Sequence, residues 1–464
     1  MAGNEENEET KSRKFPLMKG NTMNAVTTGL LSTLDESAAR FSTLDLYYEG
    51  KSPLAYLSPE ARDALGSRFG LMGSNLCRIT ITSLAERLRL TGFKVNGVPD
   101  ESLWDDWIAN DMDQLAGVAH REALTLGSAF VIVWADPEGN PSISVESARQ
   151  VAVVRDPGSR QITAALKRWE TSKTTEAVLY GPDTITRLRA DQTGAVSFGQ
   201  FRTVEVLDNP LGVPPVVELR NSDRLLSPGI SELSDVIPLQ DALNKLLTDM
   251  LVGSEYYARP RRWSTGVELM EEDVLDKDGN PTGETQAVNP FPEGNRMMIA
   301  EDPASKFGQL PAADLASYES AIKVIVEQFE AVSGLPAHYV GMSAAQPPSA
   351  DGLRAAEASL TSRAEQRQAV FGRAWEMVAR LAYAVRTGLP IDAAQVRVSW
   401  ADPATRSLAQ EADAVVKLYQ TGLLPASYAL ARLGYSDDEV KAIRAARRAE
   451  TLDTAGTDLA GLLS

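Results

Sequence analysis

Apolar side chains recur at helical spacing in two stretches in the second half of the chain. In the first stretch they lie three and four residues apart, which places them on one stripe of a helix. These positions are Leu315, Tyr318, Ile322, Ile325, Val326, Phe329 and Val332. The period stops in a segment of glycine, proline and small residues, 335–351, and resumes from 353 to 387. We therefore predict a helix over 312–332, a loop whose one carboxylate is Asp351, and a long helix that Asp351 caps.

The first half of the chain changes from a helical period to a strand period at Gly127. Before it, the pattern predicts helices over 24–40 and 59–69, a helical segment after Cys77, and a helix over 102–126. After it, short runs rich in β-branched residues alternate with turn residues, which predicts strands. These strands are 129–134, 143–145, 151–155, 162–169, 177–180, 184–188 and 203–207. Helices followed by a run of strands indicate an α+β fold.

A further helix over 233–257 and the helix over 312–332 enclose a turn-rich insertion. This insertion, residues 261–310, contains the hairpin signal Lys277-Asp278-Gly279-Asn280. Two antiparallel helices can therefore form a stalk that carries a small head at its far end. After the long helix, the pattern predicts one strand and three short helices. They are 394–400, 408–419, 425–433 and 437–448.

Composition excludes several classes of protein and of site. A length of 464 residues predicts two or three domains, and the net charge is −17. The one cysteine, Cys77, excludes a disulfide framework and a cysteine-based zinc site, and predicts a reducing, intracellular setting. The longest apolar run, 129–134, is far shorter than the ~18 residues that a membrane span needs. We expect the charged residues 1–21 to form a disordered tail and not a signal peptide.

Short motifs of nucleotide and calcium sites are incomplete in this chain. Gly50-Lys51-Ser52 lacks the first glycine of a phosphate-binding loop, because Asp45 stands at that position. Asp276 and Asp278 resemble the start of a calcium loop, but Pro281 replaces the glycine that such a loop requires. A hairpin turn is therefore the preferred interpretation of the second motif.

Titratable side chains give no stronger signal of catalysis. His120 and His338 are too few for a histidine-rich metal site, and the sequence contains no G-x-S-x-G elbow. The carboxylate groups Asp105–Asp106 and Glu271–Asp273 lie in charged contexts, which predicts solvated surfaces. We therefore expect no enzyme activity, no metal and no cofactor.

Several other stretches follow one another in a recognisable order. They are Tyr47–Gly50, Ala123–Gly127 before the strand 129–134, Ser231–Asn244, Ser333–Pro336, Ser349–Arg354 with Glu357, and Gly434–Ser436 with Asp438–Glu439. In this order they resemble the portal proteins of tailed bacteriophages, of the type found in long-tailed siphophages. The resemblance covers about residues 22–450, and it rests on the order of the stretches, since no single one is diagnostic.

The resemblance implies a virion protein assembled in the host cytoplasm. Copies of it would form a ring, usually of twelve subunits, at one capsid vertex, and double-stranded DNA would pass through the ring without sequence specificity. Its implied partners are the terminase large subunit, a head-tail adaptor, and the major capsid and scaffolding proteins, with no membrane. The implied parts are a tail (1–21), an α+β wing (22–228), a stem helix (229–257), a clip (258–311), a second stem helix (312–334), a tunnel loop (335–351), a long wing helix with a return strand (352–400) and a helical crown (401–464).

The same resemblance selects candidate site residues. For the tunnel loop and DNA passage they are His338, Tyr339, Met342, Ser343, Gln346, Pro347, Pro348 and Ser349. For the stem and channel they are Lys245, Asp249, Glu255, Lys323 and Glu327. For the contact of the clip with an adaptor or motor they are Arg261, Arg262, Asp276 and Asp278.

Charge supports a DNA passage independently of the resemblance. DNA carries one negative charge per ~1.7 Å of axis, so a passage of ~50 Å holds roughly 30 phosphates, which a basic lining would bind tightly. An acidic chain with an uncharged loop lets DNA slide instead. The long helix carries six arginines, and interspersed acids favour a salt-bridge face over DNA contact. They are Arg354, Arg363, Arg367, Arg373, Arg380 and Arg386, with Glu357, Glu365 and Glu376.

Some alternatives remain open at this point. The stripe over 312–332 fits a buried core face and a stem face equally well. A non-conducting structural or scaffold protein of a phage-like assembly is the second functional hypothesis. A nuclease or hydrolase is the third, and metal-dependent turnover of DNA or ATP would support it.

Overall fold

The computed structural model contains two compact units. It describes residues 20–52, 74–258, 262–266, 270–275, 281–288, 303–309, 316–341, 349–404, 408–435 and 439–450. One unit comprises Met1–Pro347 and Ser362–Ala401, and the other comprises Pro348–Thr361 and Asp402–Ser464. The first combines helices with antiparallel strands, as an α+β fold requires, and the described part of the second is helical.

The first unit begins with two helices that pack together. Helix α1 (Gly20–Glu49) is longer than the predicted 24–40, because Tyr47 and Tyr48 continue the helix instead of forming a turn, and the chain turns only at Gly50. Helix α2 (Leu76–Ala85) starts at Asn75, whose side chain accepts a hydrogen bond from the Arg78 amide. The predicted helix over 59–69 lies outside the described residues.

The helix predicted over 102–126 is two helices, so that prediction was wrong. Helix α3 (Glu101–Ala109) ends at Asn110, and α4 (Met112–Leu126) begins after Asp111, whose φ of 54° is left-handed. The Asn110 side chain donates to the Asp106 and Pro141 carbonyls and accepts from the Ile143 amide. These bonds fix the corner, and α4 ends at Gly127 as predicted.

Three antiparallel sheets follow from the strand pattern of the first unit. A meander in the order β5-β6-β7-β8-β9 consists of Val151–Arg155, Ile162–Glu170, Thr175–Tyr180, Thr184–Ala190 and Arg202–Asp208. A second sheet, in the order β10-β3-β4, consists of Val216–Arg220, Ser128–Ala135 and Pro141–Ser147. A third, in the order β15-β1-β2, consists of Val396–Trp400, Leu90–Val95 and Val98–Pro99. The strands predicted over 129–207 and at 394–400 are confirmed. Strands β1 and β2 lie where the sequence predicts only a short extended piece, 93–98, and β10 was not predicted.

Helix α1 covers the five-stranded sheet with its apolar side. Leu30, Leu31 and Leu34 pack on the inward residues of β5 to β8, which include Leu166 and Leu188. Alternating strand residues point to the same face, so one helix can bury them together. This core holds the helical layer and the sheet as one body.

Two helices and four short strands form the predicted stalk and its insertion. Helix α5 (Ile237–Ala258) begins with Pro238 in its first turn, and α6 (Ala316–Ser333) packs against it. Residues 229–236 precede α5 and are not helical, in contrast to the stem helix predicted over 229–257. Between the helices lie β11 (Arg262–Thr265), β12 (Met270–Leu275), β13 (Pro281–Val288) and β14 (Lys306–Gln309). The pairing of β12 with β13 confirms a hairpin, although its turn residues lie outside the described ranges.

The long helix α7 (Ala350–Thr387) has 38 residues, about 57 Å at 1.5 Å per residue. Its C-terminal half is buried in an aromatic core of the first unit. Trp375 Nε1 donates to His120 Nε2 at 2.8 Å, and the His120 ring stacks on Phe371 with centroids 5.5 Å apart. Trp107 meets Trp375 edge-on. Because an indole nitrogen only donates, His120 is neutral in this core.

The second unit ends the chain with short helices. Helices α8 (Leu408–Gln420) and α9 (Ala426–Arg432) agree with the prediction, and residues 439–450 are also helical. Val415, Ala429 and Val440 are buried. None of the helices described in either unit combines the length and the apolar character that crossing a membrane demands.

Candidate functional site

The stem helices α5 and α6 run antiparallel, because their ends meet at both extremities. At one end, β11 after α5 pairs with β14 before α6, with Arg262 opposite Gln309. At the other end, Glu232 before α5 and Ser333 at the end of α6 both accept hydrogen bonds from Arg363 of the long helix. The two helices therefore leave and return to the same place in the first unit.

This meeting place, the Glu232 junction, is formed by Glu232, Ser333, Arg363 and Arg367. Arg367 donates to Glu232 Oε1 from Nη2 at 2.7 Å and from Nε at 3.0 Å. Asn221 donates to the same oxygen at 3.1 Å. The Glu232 side chain is only 5% exposed. One carboxylate thus joins the start of α5 and the end of α6 to α7.

Opposing effects act on the pKa of Glu232. Burial favours its neutral form, but Arg367 and Arg363 together outweigh burial and hold the pKa below its usual range. The carboxylate is therefore charged at neutral pH. Such a charge is stable in the interior only while both arginines remain in place.

A polar network anchors the first turns of α5 to α1 and α2. The Tyr47 hydroxyl donates to Asp241 at 2.8 Å, and Gln240 Oε1 accepts from the Leu76 amide at 3.0 Å. Asn244 donates to Ser52 Oγ at 3.3 Å. Together with the Glu232 junction, these bonds attach the base of the stem on two sides.

The loop that follows α6 is held at its start. Residues Ala337–Val340 form a short 3-10 helix, in which His338 is exposed and packs edge-on against Tyr339. The Tyr339 hydroxyl accepts a hydrogen bond from Arg87 at 3.2 Å. The Arg87 carbonyl in turn accepts from Gln368 of α7 at 3.3 Å. The loop thus begins on a support that reaches the long helix.

The long helix α7, which follows the loop, is capped at its N-terminus by a different residue from the one predicted. Helix α7 begins at Ala350, and Ser349 Oγ accepts from the Gly352 amide at 3.1 Å. Asp351 lies inside the first turn, so its prediction as the cap was wrong. The predicted loop residues Met342, Ser343, Gln346, Pro347 and Pro348 lie outside the described residues.

The candidate channel charges form one ion pair on each stem helix. Lys245 pairs with Asp249 on α5, and Lys323 Nζ lies 3.9 Å from Glu327 Oε1 on α6. Both pairs join residues four apart, which lie side by side on a helix. Each lysine thus has a carboxylate beside it. Glu255 lies in α5, but its side chain is not described.

The apolar stripe of α6 is only partly buried. Val326 and Phe329 of the stripe are buried, Ile322 and Ile325 are half-buried, and Val332 is exposed. Val324, which lies outside the stripe, is also exposed. The same applies to α5, where Leu243 is buried and Leu246 and Leu247 are half-buried. The stem therefore combines a core face with apolar surface that the described residues leave exposed.

The sequence of this chain matches that of a known protein family. A sequence model of the family described as "Phage portal protein, SPP1 Gp6-like" matches residues 30–452 of the chain. The chain belongs to this family of phage portal proteins. The match takes in the stem helices, the Glu232 junction and the loop, which confirms the resemblance found in the sequence.

Individual portal proteins are similar to this one over most of its length. It is 31% identical over 387 residues to the portal protein of Mycobacterium phage L5, which covers 79% of this chain and 77% of that protein. It is also 31% identical over 392 residues to the portal protein of Mycobacterium phage D29, with the same coverage. From this relationship we conclude that the chain functions as a phage portal protein.

The comparison with solved structures matches chains from gene transfer agent (GTA) particles. A chain from the neck of the native GTA particle is 13% identical, with a TM-score of 0.46, and the match covers 82% of this chain and 95% of that chain. A chain from the neck of the empty particle is 14% identical, with a TM-score of 0.48 and the same coverage.

Five of the six arginines of the long helix make ion pairs in this portal protein, as the salt-bridge interpretation predicted. Their partners, however, are mostly on other elements. Arg363 and Arg367 bind Glu232, Arg386 binds Asp106, and Arg380 lies 3.9 Å from Asp392. Arg373 uses a predicted acid, Glu376, at 3.0 Å.

The prediction that Asp106 lies on a solvated surface was wrong. Its side chain is buried and binds Arg386, whereas its neighbour Asp105 is exposed. Burial raises the pKa of Asp106, and the hydrogen bond from Arg386 opposes that effect. Glu271 and Asp273 are exposed as predicted.

The remaining predicted site residues belong to the insertion. Arg262 begins β11 and pairs through its backbone with Gln309, and its side chain is not described. Arg261, Asp276 and Asp278 lie outside the described residues. Within the described ranges, no group of three or more His, Cys, Asp or Glu side chains is arranged to hold a metal ion.

Proposed function

We propose that copies of this portal protein close into a ring of twelve and that double-stranded DNA passes through its centre during packaging and ejection. The stem helices α5 and α6 line this passage, and residues 335–351 form a tunnel loop that projects towards the DNA. The ring occupies one vertex of the capsid. We propose that the ring has no catalytic activity of its own.

The charge balance of the stem is the observation that carries this proposal. Helices α5 and α6 together contain two lysines and six carboxylates. Each lysine is paired with a carboxylate four residues later. Every phosphate contact with a lysine or arginine adds salt-dependent affinity, so a net acidic stem with paired lysines does not hold DNA. Such a surface suits a polyanion that must move.

The uncovered apolar surface of the stem supports assembly into a ring. Val324 and Val332 are exposed on α6, and Leu246 and Leu247 of α5 are half-buried. A head-to-tail contact repeated about an axis closes into a ring and places one face of each stem helix against a neighbour. Burying these side chains between copies would remove their apolar area from water.

The other parts take roles that follow from this arrangement. The insertion, residues 258–311, lies at the far end of the stem and serves as the clip that meets the terminase large subunit and the head-tail adaptor. The residues up to 228 and most of α7 form the wing, and residues 401–464 form the crown. The wing contacts the major capsid and scaffolding proteins.

Imaging of the purified full-length chain tests the ring. We expect annular particles with a central hole in negative stain, at concentrations where the protein assembles. A chain that stays monomeric at every concentration contradicts the proposal.

A deletion separates DNA conduction from a purely structural role. Removing residues 341–348 should leave the ring intact and reduce the amount of DNA packaged into capsids. If packaging is unchanged, the alternative of a non-conducting structural or scaffold protein is favoured.

A further inference from the structure

A basic cavity lies in the first unit, away from the stem and the loop. Its volume is about 820 Å³, and it lies between the β5–β6 turn, β10 and α7. Five arginines and two carboxylates line it. The arginines are Arg155, Arg160, Arg220, Arg373 and Arg380. In a chain with a net charge of −17, this surplus of positive charge is a local exception.

Two of these arginines have a guanidinium without a partner in the described part of the chain. Arg155 binds Glu218, and Arg380 and Arg373 each have a carboxylate nearby. For Arg160 and Arg220, by contrast, no ion pair or side-chain hydrogen bond is found among the described residues. Arg160 also has a left-handed backbone, with φ of 61°, at the turn that carries it into the cavity wall. Both side chains are available to an outside carboxylate.

Exposed apolar side chains lie beside the same arginines. A second cavity, of about 540 Å³, shares Arg155, Arg160, Glu218 and Arg220 with the first. Leu225 and Leu226 line it and are 73% and 92% exposed. The two cavities and the two leucines form one surface, which we name the arginine groove. Leucines this exposed next to unpaired arginines are typical of a surface that another protein covers.

We propose that the arginine groove binds a carboxylate-bearing surface of the next copy of this chain, an inference that rests on the proposed ring. Charge complementarity selects this occupant. Two copies that each carry −17 repel one another, and a basic groove that receives acidic side chains offsets the repulsion at one place and fixes the register. The contact joins different surfaces of the two copies, as a closed ring requires. Arginine suits this role because its planar fork binds a carboxylate through two hydrogen bonds.

Charge reversal in the groove tests the proposal directly. The double variant Arg160→Glu with Arg220→Glu should raise the protein concentration needed for half-assembly at least about tenfold, because like charges would then meet. The control is Lys173→Glu with Arg202→Glu, which changes the charge equally at exposed positions outside the groove and should assemble as the wild type does. Sedimentation velocity over a range of concentrations measures both.

A second variant guards against loss of folding. Leu225→Ser with Leu226→Ser changes only exposed side chains, so the fold should be retained while assembly is again weakened. A photo-reactive phenylalanine analogue in place of Leu226 then identifies the occupant. In rings made from a mixture of isotope-labelled and unlabelled chains, we expect cross-links between chains of different label.

The outcomes separate the groove from the ring. Wild-type rings together with unchanged assembly of both groove variants overturn the groove contact alone. A wild-type chain that never assembles overturns the ring and the groove contact together. Cross-links confined to one chain also overturn the contact. The contact is likewise overturned if the charge-reversed rings assemble normally and lose only salt-sensitive DNA binding. The groove would then bind phosphate.

Discussion

Two groups of charge pairs in this portal protein differ in burial, and therefore in what they do. At the Glu232 junction, the carboxylate is almost wholly buried between Arg363 and Arg367. On the stem, the Lys323 and Glu327 side chains keep 62% and 53% of their surface exposed. A buried ion pair is costly to break because the remaining charge loses its partner, whereas an exposed pair contributes little to stability. The junction fixes where helices meet, and the stem pairs only cancel charge.

The largest effect is expected where the buried pair is broken. Glu232→Gln leaves Arg363 and Arg367 without their anion, and it should lower the free energy of unfolding by about 3–5 kcal/mol. Urea unfolding at a fixed protein concentration measures this change. The control Glu205→Gln breaks the exposed pair with Arg187 and should stay within about 1 kcal/mol of the wild type. Equal losses in the two variants would show that burial does not distinguish these pairs.

The hydrogen bond between His120 and Trp375 is buried like the Glu232 junction, but it carries no formal charge. We therefore expect its effect on the free energy of unfolding to lie between those of the junction and the exposed pairs. Burial lowers the pKa of His120 to about 3, because the apolar core disfavours the charged ring. An unfolded histidine titrates near pH ~6.5. The stability gained from neutral His120 is therefore complete above that pH and is lost as the pH falls towards 3.

The pH dependence gives the second prediction. Between pH 7 and pH 5, the wild type should lose about 2 kcal/mol of stability that His120→Gln does not lose. Glutamine keeps an acceptor for Trp375 Nε1 and does not titrate. Thermal or urea unfolding at both pH values measures the difference. Parallel pH profiles for the two proteins would mean that His120 becomes protonated without unfolding its core.

The smallest effect on stability is expected on the stem. Lys323→Ala and Glu327→Ala should each change the free energy of unfolding by no more than about 0.5 kcal/mol, because the pair is exposed. Glu327→Lys should be equally mild for folding, yet it removes the carboxylate beside Lys323 and puts a second cation in its place. If these residues face the DNA, the rings of this variant should retain DNA at low salt and release it as salt rises. Retention equal to that of the wild type would place the pair away from the DNA.

The sequence predicted elements whose pattern is local. The strands from Ser128 to Asp208 alternate over short runs between turn residues, and the stem and long helices keep one apolar stripe. Their existence and order were therefore predictable, and the boundaries differ by a few residues. Strand β10 was missed because Val216–Arg220 follows two prolines and pairs with β3, a strand that lies far back in the sequence.

Contacts between distant residues could not be predicted in this way. The break between α3 and α4 depends on hydrogen bonds from Asn110 to Pro141 and Ile143, while the apolar period continues through the break. Asp106 is buried only because Arg386, 280 residues later, neutralises it. The same holds for Glu232, whose arginines lie 131 and 135 residues away.

The candidate site was predicted unevenly for the same reason. The pairing of Lys245 with Asp249 and of Lys323 with Glu327 follows from a spacing of four residues that is visible in the sequence. The support of Tyr339 by Arg87, 252 residues earlier, is visible only in the fold. Glu232 lies in a stretch that carries the family resemblance, but nothing in that stretch names its partners.

A three-dimensional reconstruction of the assembled wild-type ring tests the central claim most directly. We predict that α5 and α6 line the central hole, that the Lys245–Asp249 and Lys323–Glu327 pairs face it, and that residues 335–351 project into it. A particle without a central hole, or a ring with both stem helices on its outer rim, would contradict the account.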